Sequence, residues 1–161
     1  MNGYEFQLAV PDDIPEILGI YQSLAGTPGC TWDADYPNRE TAEEDIGNGW
    51  LYKLKKHDKI IAVASAGKFD DWGHLLQWKP KNPCELARIG VDPAFQKQGI
   101  GTVILQNVIT AMKKQGFDGM RFIVSKTNPA ALSLYEKNGF EICGETSVFD
   151  MDWYCCQMVF E

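Results

Sequence analysis

The stretch that most constrains the fold runs from Cys84 to Gly101, where an apolar strand leads into a glycine-containing loop and a long helix. Apolar side chains recur at helical spacing from Gly99 to Gln115, and Gly116 is placed to end that helix. A helix N-terminus carries unpaired N–H groups and the positive end of the helix dipole, and glycine lets an anion approach closely. The stretch therefore predicts a phosphate-binding loop between a strand and a helix.

The order of the predicted elements is β-α-α-β-β-β-α-β-α-β-β. A turn at 57–59 joins two predicted strands into an antiparallel hairpin, whereas the strand–helix–strand crossover over 84–125 implies one parallel pair. The expected fold class is therefore α/β, of the α+β type, with a mixed sheet. The chain has 161 residues and contains neither a repeat nor a linker, so we expect a single domain over 1–161.

Composition narrows the classes of function. The formal net charge is -7, which disfavours nonspecific binding to nucleic acid and either aids solubility or favours a cationic substrate. The five cysteines form an odd count without Cys-x-x-Cys spacing, which argues against a disulfide framework and a zinc site. No segment approaches the roughly 18 apolar residues of a membrane span, and the N-terminal residues do not form a secretory leader. We expect no metal, no membrane partner and a cytoplasmic location.

The glycine loop alone leaves two interpretations open, an ordinary tight turn or a phosphate site. Its pattern, Gln96-x-x-Gly99-x-Gly101, lacks the Gly-Lys-Ser/Thr of a P-loop and the glycine spacing of a dinucleotide fingerprint. A second element downstream favours the phosphate site: a predicted helix from Asn128 that contains Tyr135 and ends at Asn138-Gly139.

Together, residues 84–140 resemble the GCN5-related N-acetyltransferase (GNAT) family. The resemblance implies a mixed, mostly antiparallel, twisted sheet of seven strands with helices on both faces, splayed between strands 4 and 5. It also implies acetyl-CoA as the donor cosubstrate. By this resemblance, the loop amides hold the CoA pyrophosphate, the strand backbone pairs with the pantetheine arm, and one strand amide polarises the thioester carbonyl. The implied cofactor-binding residues are Ile89, Gly90, Val91, Gln96, Lys97, Gln98, Gly99, Ile100, Gly101, Thr102, Asn128 and Tyr135.

Two residues are candidates for catalysis. Tyr135 matches the family tyrosine that protonates the departing thiolate, and a phenol with a pKa near about 10 suits that step. Glu85 matches the place of the catalytic glutamate in the histone-acetylating branch, and strand alternation puts it on one face with Ile89 and Val91. Other interpretations stay open: core packing for Tyr135, a structural carboxylate for Glu85, and a helix N-cap for Asn128. Gly90 suggests a bulge or a close backbone approach in this strand.

The resemblance implies that the loop between the first two helices and the closing hairpin form the wall of the acceptor site. Trp32, Tyr36 and Glu40 are the candidate substrate residues, because aromatic and acidic groups suit a cation. This favours a small cationic amine as the acceptor. The alternative is that the acidic residues form a solvated helix face.

The sequence thus predicts an N-acetyltransferase that moves an acetyl group from acetyl-CoA to a primary amine by direct attack in a ternary complex. Cys84 is the candidate nucleophile of a competing ping-pong route. A noncatalytic acyl-CoA-binding sensor or interaction module and a protein N-acetyltransferase are the alternative functions. A homodimer is compatible with any of them.

Overall fold

A computed structural model describes residues 3–161. The first two residues of the expected domain, Met1 and Asn2, lie outside the described residues. The strands are β1 (Tyr4–Leu8), β2 (Leu51–Lys56), β3 (Lys59–Gly67), β4 (Pro83–Val91), β5 (Gly119–Ser125), β6 (Glu141–Val148) and β7 (Met151–Val159). The helices are α1 (Ile14–Leu24), α2 (Arg39–Gly47), α3 (Ile100–Lys114) and α4 (Pro129–Lys137).

The seven strands form one mixed sheet in the order β1-β2-β3-β4-β5-β7-β6. Every neighbouring pair is antiparallel except β4 and β5, which run parallel because α3 crosses over between them. The predicted fold class and element order are confirmed.

The parallel pair is short. β4 and β5 pair only where Pro83–Glu85 lies beside 119–121, and beyond Glu85 the two strands have no register in common. Each strand therefore leaves an unpaired edge facing the other, which is the predicted splay between strands 4 and 5. We call the space between the two edges the cleft. An unpaired strand edge can accept an extended ligand as an additional strand.

Helices cover both faces of the sheet. On one face, α3 contributes fully buried side chains such as Ile104, Val108 and Met112 to the larger hydrophobic core. On the other face, Ile17 and Tyr21 of α1 pack with Val63 of β3. Burying each large apolar side chain contributes roughly 1.5–3 kcal/mol relative to leaving it exposed. The residues around the cleft are thus held by a packed core on each face.

The β3–β4 connection, residues 68–82, is irregular, as the breakers in its sequence predict. It is nevertheless anchored to the sheet. Trp78 is buried and donates from Nε1 to the Trp72 carbonyl oxygen, and the Lys79 N–H donates to Gln157 Oε1 of β7. The segment is therefore held against the sheet at β4 and β7.

The bulge in β4 lies at Arg88. At Gly90, where the sequence suggested a bulge or a close backbone approach, the structure has the close approach. Arg88 has a φ of 51°, and the pairing with β3 shifts register there: Ala87 is opposite Ser65, but Gly90 is opposite Val63. The inserted residue breaks the side-chain alternation. Consequently the prediction that Glu85 shares a face with Ile89 and Val91 is wrong: Ile89 and Val91 pack against the α3 core, and Glu85 faces the 68–82 segment.

Among the helices of the described part, none is both long enough and apolar enough to cross a membrane.

Candidate active site

The loop before α3 presents a row of free backbone donors. Lys97 and Gly99 have positive φ values of 63° and 78°, which turn successive N–H groups toward the same side. Within residues 3–161, no N–H from Lys97 to Thr102 donates to a protein acceptor, and the first that does is that of Val103, to the Gly99 carbonyl oxygen at 3.2 Å. Six successive free donors at a helix N-terminus are an arrangement that is able to bind an anion.

This loop is fixed to the strand and helix beside it. Gln96 Nε2 donates to the Val91 carbonyl oxygen at 3.2 Å, which joins the loop to the end of β4. Ile100 is buried, while Lys97, Gln98 and Thr102 are exposed. A Cβ atom at Gly101 would lie 3.2 Å from Leu134 Cδ2, so the first turn of α3 packs closely on α4, next to Tyr135.

The edge of β4 faces the cleft with Ile89 and Val91. The Asp92 N–H donates to Ile61 of β3 at 2.8 Å, so alternation along the strand directs the Gly90 N–H toward β3 as well. It directs the N–H groups of Ile89 and Val91 to the opposite edge. Of the three strand residues predicted to bind cofactor, these two have backbone groups aimed at the cleft.

Gly90, whose N–H points toward β3, leaves room for the close packing of other elements on β4. A Cβ atom there would lie 2.6 Å from Leu24 Cδ1 and 3.2 Å from Trp32 Cη2, so only glycine lets α1 and the following segment approach β4 this closely. At the far side of the cleft, a Cβ atom at Gly29 would lie 2.9 Å from the Thr127 carbonyl oxygen. The segment between α1 and α2 therefore contacts both sides of the cleft.

Asn128 caps α4. Its Oδ1 accepts from the Ala131 N–H at 3.2 Å, which is the N-cap role considered in the sequence. The side-chain Nδ2 is a separate atom, so the cap does not exclude a contact with the cofactor arm.

Tyr135 lies in the core beside the start of the cleft. Its ring centroid is 4.4 Å from that of Phe122, the first β5 residue beyond the β4 pairing, and 6.1 Å from that of Phe140. Burial, with a smaller contribution from Cys156, raises the pKa of Tyr135 well above its ordinary value. The phenol is therefore protonated at neutral pH, as a proton donor must be.

Glu85 is enclosed. Its side chain is 1% exposed, and Oε2 lies 2.7 Å from Arg121 Nε in a buried ion pair. Oε1 accepts from the Asp71 N–H at 2.8 Å, and Oε2 accepts from the Trp72 N–H at 3.1 Å. These bonds hold the 68–82 segment on the sheet. Since three donors surround the carboxylate, an incoming amine has no open approach to it in this arrangement.

The three candidate substrate residues are placed differently. Trp32 packs edge-on against Tyr21, with ring centroids 5.6 Å apart, and contacts β4 at Gly90. Tyr36 is 46% exposed, and its hydroxyl accepts from Arg88 Nη1 at 3.0 Å. Glu40 is exposed on α2. The structure thus brings Trp32 and Tyr36 to β4 and leaves Glu40 on the solvated face.

Sequence reasoning missed the pair formed by Asp45 and Arg88. Asp45 is 2% exposed and binds the Arg88 guanidinium through both oxygens, although in sequence it belongs to an acidic run. The sequence did indicate that Asp45 is buried, because Asp45 lies three residues after the apolar Ala42 and so on the same face of α2, where Ala42 is fully buried.

The five cysteines are free thiols. Burial raises the pKa of Cys84 to about 12, so the reactive thiolate is scarce at neutral pH. Within residues 3–161 no cluster of three or more His, Cys, Asp or Glu side chains is arranged to hold a metal ion.

Comparison with known proteins relates this geometry to a family. The Acetyltransferase (GNAT) family model matches residues 17–140. The ribosomal protein bS18-alanine N-acetyltransferase of Escherichia coli strain K12 is 40% identical over 129 residues, which cover 80% of this chain and 74% of that enzyme. The L-methionine sulfoximine/L-methionine sulfone acetyltransferase of Pseudomonas aeruginosa PAO1 is 27% identical over 142 residues, 83% of this chain and 77% of that enzyme.

Solved structures share the fold. The acetyltransferase yncA of Salmonella typhimurium, solved with its cofactor acetyl-CoA, superposes with a TM-score of 0.78 at 18% identity, covering 99% of this chain and 95% of that one. The family match spans α3, α4 and the loop of free amides between β4 and α3. On the family match and the 40% identity across 80% of its length, this chain belongs to the GNAT family of acetyltransferases.

Proposed function

We propose that the chain is a single-domain N-acetyltransferase that moves an acetyl group from acetyl-CoA to an amine by direct attack in a ternary complex. The observation that carries this proposal is the row of six free N–H groups from Lys97 to Thr102, which continues the open edge of β4. A pyrophosphate fits the first feature, and an extended pantetheine arm fits the second.

In this proposal the backbone does most of the donor binding. The amides from Lys97 to Thr102 hold the pyrophosphate, and Ile89 and Val91 pair with the pantetheine arm. Asn128 offers its Nδ2 to the same arm from across the cleft. Gln96 keeps the loop on β4 through its bond to the Val91 carbonyl oxygen.

The chemical step uses one amide and one phenol. The amine nitrogen attacks the thioester carbonyl carbon, and a β4 amide, that of Val91 or its neighbour Ile89, stabilises the developing oxyanion. The carbon–sulfur bond then breaks, the departing thiolate takes the proton of Tyr135, and the phenolate recovers a proton from water. The proton lost by the amine passes to water, because Glu85 is enclosed by three donors. The competing prediction from the sequence is that Glu85 is the base, and the pH–rate profile of Glu85→Gln decides between the two routes.

For the acceptor we propose an α-amine. The two related enzymes are named for an alanine of a ribosomal protein and for derivatives of an amino acid, and both substrates carry an amine of that kind. The aromatic residues Trp32 and Tyr36, placed at β4, form the wall beside it. The small cationic amine, the homodimer and the cytoplasmic location stay predictions.

An amine panel with detection of released thiol tests the acceptor. Peptides with an N-terminal alanine, free amino acids and polyamines are compared at equal concentration with acetyl-CoA. We expect turnover on the α-amines. Turnover on polyamines alone would instead support the small cationic amine, and CoA binding without turnover on any amine would support the noncatalytic sensor.

Gly99→Val tests the phosphate site. The φ of 78° at Gly99 is a conformation that costs a β-branched residue about 1–2 kcal/mol, and no atom lies within 4 Å of the added Cβ, so the effect is conformational. We expect the dissociation constant of CoA to rise about 10-fold, as measured by calorimetry. Gly116→Val is the matched control, because Gly116 ends the same helix with a φ of 94° and an equally open Cβ position. An equal loss of CoA affinity in both variants would contradict the assignment.

Cys84→Ala tests direct transfer. Because the Cys84 thiol is buried and its pKa is raised to about 12, we expect the variant to keep its kcat. Initial rates at varied acetyl-CoA and amine should give intersecting double-reciprocal lines. Parallel lines together with an inactive Cys84→Ala would establish an acetyl-cysteine intermediate instead.

A further inference from the structure

The bulge in β4 is held by a side chain that reaches across to another element. Arg88 adopts a left-handed φ of 51° inside a strand, a conformation that residues with a Cβ rarely adopt. Such a conformation persists only where surrounding contacts fix it. The contacts of the Arg88 side chain therefore decide whether the bulge stays at this position.

Asp45 of α2 provides the main contact. Its Oδ2 lies 2.8 Å from Arg88 Nε and its Oδ1 lies 2.9 Å from Arg88 Nη2, which makes a bidentate pair. Oδ2 also accepts from Ser65 Oγ at 2.7 Å, and Ser65 is paired with Ala87, the residue before the bulge. Asp45 thus binds both strands at the point where their register shifts.

Two more contacts complete the set. Arg88 Nη1 donates to the Tyr36 hydroxyl at 3.0 Å, and the guanidinium lies 5.5 Å from the centroid of the Phe69 ring. Burial by itself would lower the pKa of Arg88. The hydrogen bonds to Asp45 and the negative charge of Asp45 outweigh burial and raise the pKa of Arg88. The guanidinium is therefore always charged, and its charge is already matched by Asp45. Arg88 is not a free cation for an anionic substrate.

The position of the bulge determines which amides face the cleft. Ile89 and Val91 lie one and three residues after Arg88, and their N–H groups face the cleft because one residue is inserted before them. Moving or removing the bulge would exchange the directions of successive residues, since backbone and side-chain directions alternate along a strand. The amides that pair with the donor would then point toward β3.

We propose that Arg88 is a positioning residue, which through Asp45 and Tyr36 fixes the β4 bulge and so aims the Ile89 and Val91 amides into the cleft. The same side chain joins the acceptor wall to the strand that holds the donor. This inference rests on the proposed acetyl transfer for its consequence in catalysis, but the aim of the amides can be measured without any turnover.

The experiment compares Arg88→Lys, which keeps the charge but loses the bidentate fork, with Asp45→Asn, which keeps the shape of the partner. Asp13→Asn is the matched control, because it weakens another buried pair, Lys53–Asp13, whose side chains are 7% and 14% exposed and make no hydrogen bond to β4. For each folded variant, hydrogen–deuterium exchange is measured for the amides of 87–92. The kcat and the dissociation constant of CoA are measured in parallel.

We expect both Arg88→Lys and Asp45→Asn to speed exchange of the Gly90 and Asp92 amides, which point toward β3 in the wild type. We also expect kcat to fall about 10- to 100-fold, because an error of about 1 Å in positioning costs about 100-fold in rate. The dissociation constant of CoA should rise less than kcat falls, since the loop amides are unchanged. Asp13→Asn should leave exchange in this segment and kcat as in the wild type, even if its thermal stability falls.

Unchanged exchange at 87–92 in Arg88→Lys and Asp45→Asn would overturn the proposal, as would an unchanged kcat in either variant. An equal fall in kcat for the Asp13→Asn control would also overturn it, because the effect would then follow stability alone. If the wild-type chain binds CoA but acetylates no amine, the proposed function fails, and the exchange measurement still decides whether Arg88 fixes the bulge.

Discussion

Tyr135→Phe is expected to lower kcat about 100-fold while changing the dissociation constant of CoA by less than about 3-fold. A positioned general acid contributes about 100-fold or more to the rate, and the substitution removes only the hydroxyl. The ring contacts with Phe122 and Phe140 remain, so the fold and the adjoining cleft should be preserved. The loss should therefore fall on the chemical step and not on donor binding.

Tyr52→Phe is the matched control for this prediction. Tyr52 is also a buried tyrosine of the α3-side core, but its hydroxyl accepts from Gln115 Nε2 at the C-terminal end of α3, away from the phosphate loop. We expect Tyr52→Phe to keep the wild-type kcat. A Tyr135→Phe variant with wild-type kcat would show that Tyr135 only packs in the core.

The pH profile offers a second measurement on Tyr135. Because burial raises its pKa well above the ordinary value, the phenol stays protonated through neutral and mildly alkaline pH. The wild-type kcat should therefore not fall from loss of the acid between about pH 7 and pH 9. A fall in that range that disappears in Tyr135→Phe would contradict the raised pKa.

Glu85→Gln is expected to lower the free energy of unfolding by about 3 kcal/mol, because removing one partner of a buried ion pair leaves the other charge uncompensated. The buried charge left behind is that of Arg121, whose remaining carboxylate partner, Asp70, is 72% exposed at its side chain. Denaturant unfolding followed by tryptophan fluorescence measures the change. The loosened segment, 68–82, contains Trp72 and Trp78 and should report it.

Glu141→Gln is the control for Glu85. Glu141 pairs with Lys79 at 2.8 Å on the surface, where both side chains are at least half exposed, so its loss should change stability very little. At temperatures where Glu85→Gln is folded, we expect a pH–rate profile of the wild-type shape. A selective loss of rate at low pH without a loss of stability would instead identify Glu85 as the base.

The elements of the fold that could be predicted from the sequence are those with local signals. The apolar period of α3, the capping Asn128 before α4 and the apolar strand before the glycine loop each depend on neighbours within a few residues. The parallel crossover followed from these elements, since a strand, a long helix and a strand permit few arrangements. The glycine loop therefore lies before α3 and Tyr135 lies on α4, as the sequence predicts.

The parts that could not be predicted depend on long-range contacts. Glu85 finds Arg121 36 residues away, and Asp45 finds Arg88 43 residues away, so in sequence both acids look like any exposed carboxylate. The proposed anchor of the bulge is the pair of Asp45 and Arg88. No pattern in the neighbouring sequence indicates that an arginine adopts a left-handed backbone conformation. For that reason the sequence suggested a bulge or a close backbone approach at Gly90, because glycine adopts an irregular backbone conformation at the lowest cost. It also placed Ile89 and Val91 on the same face as Glu85, which the bulge at Arg88 prevents.

In the proposed reaction the acetyl group passes from acetyl-CoA directly to an amine in the cleft. The most direct measurement mixes the chain with acetyl-CoA and an alanine-terminated peptide, and follows thiol release and acetylated peptide in the same samples by mass spectrometry. We expect one acetylated amine per thiol released, with no thiol release when the peptide is omitted. Thiol release without acetylated peptide, or saturable CoA binding with neither product, would contradict it.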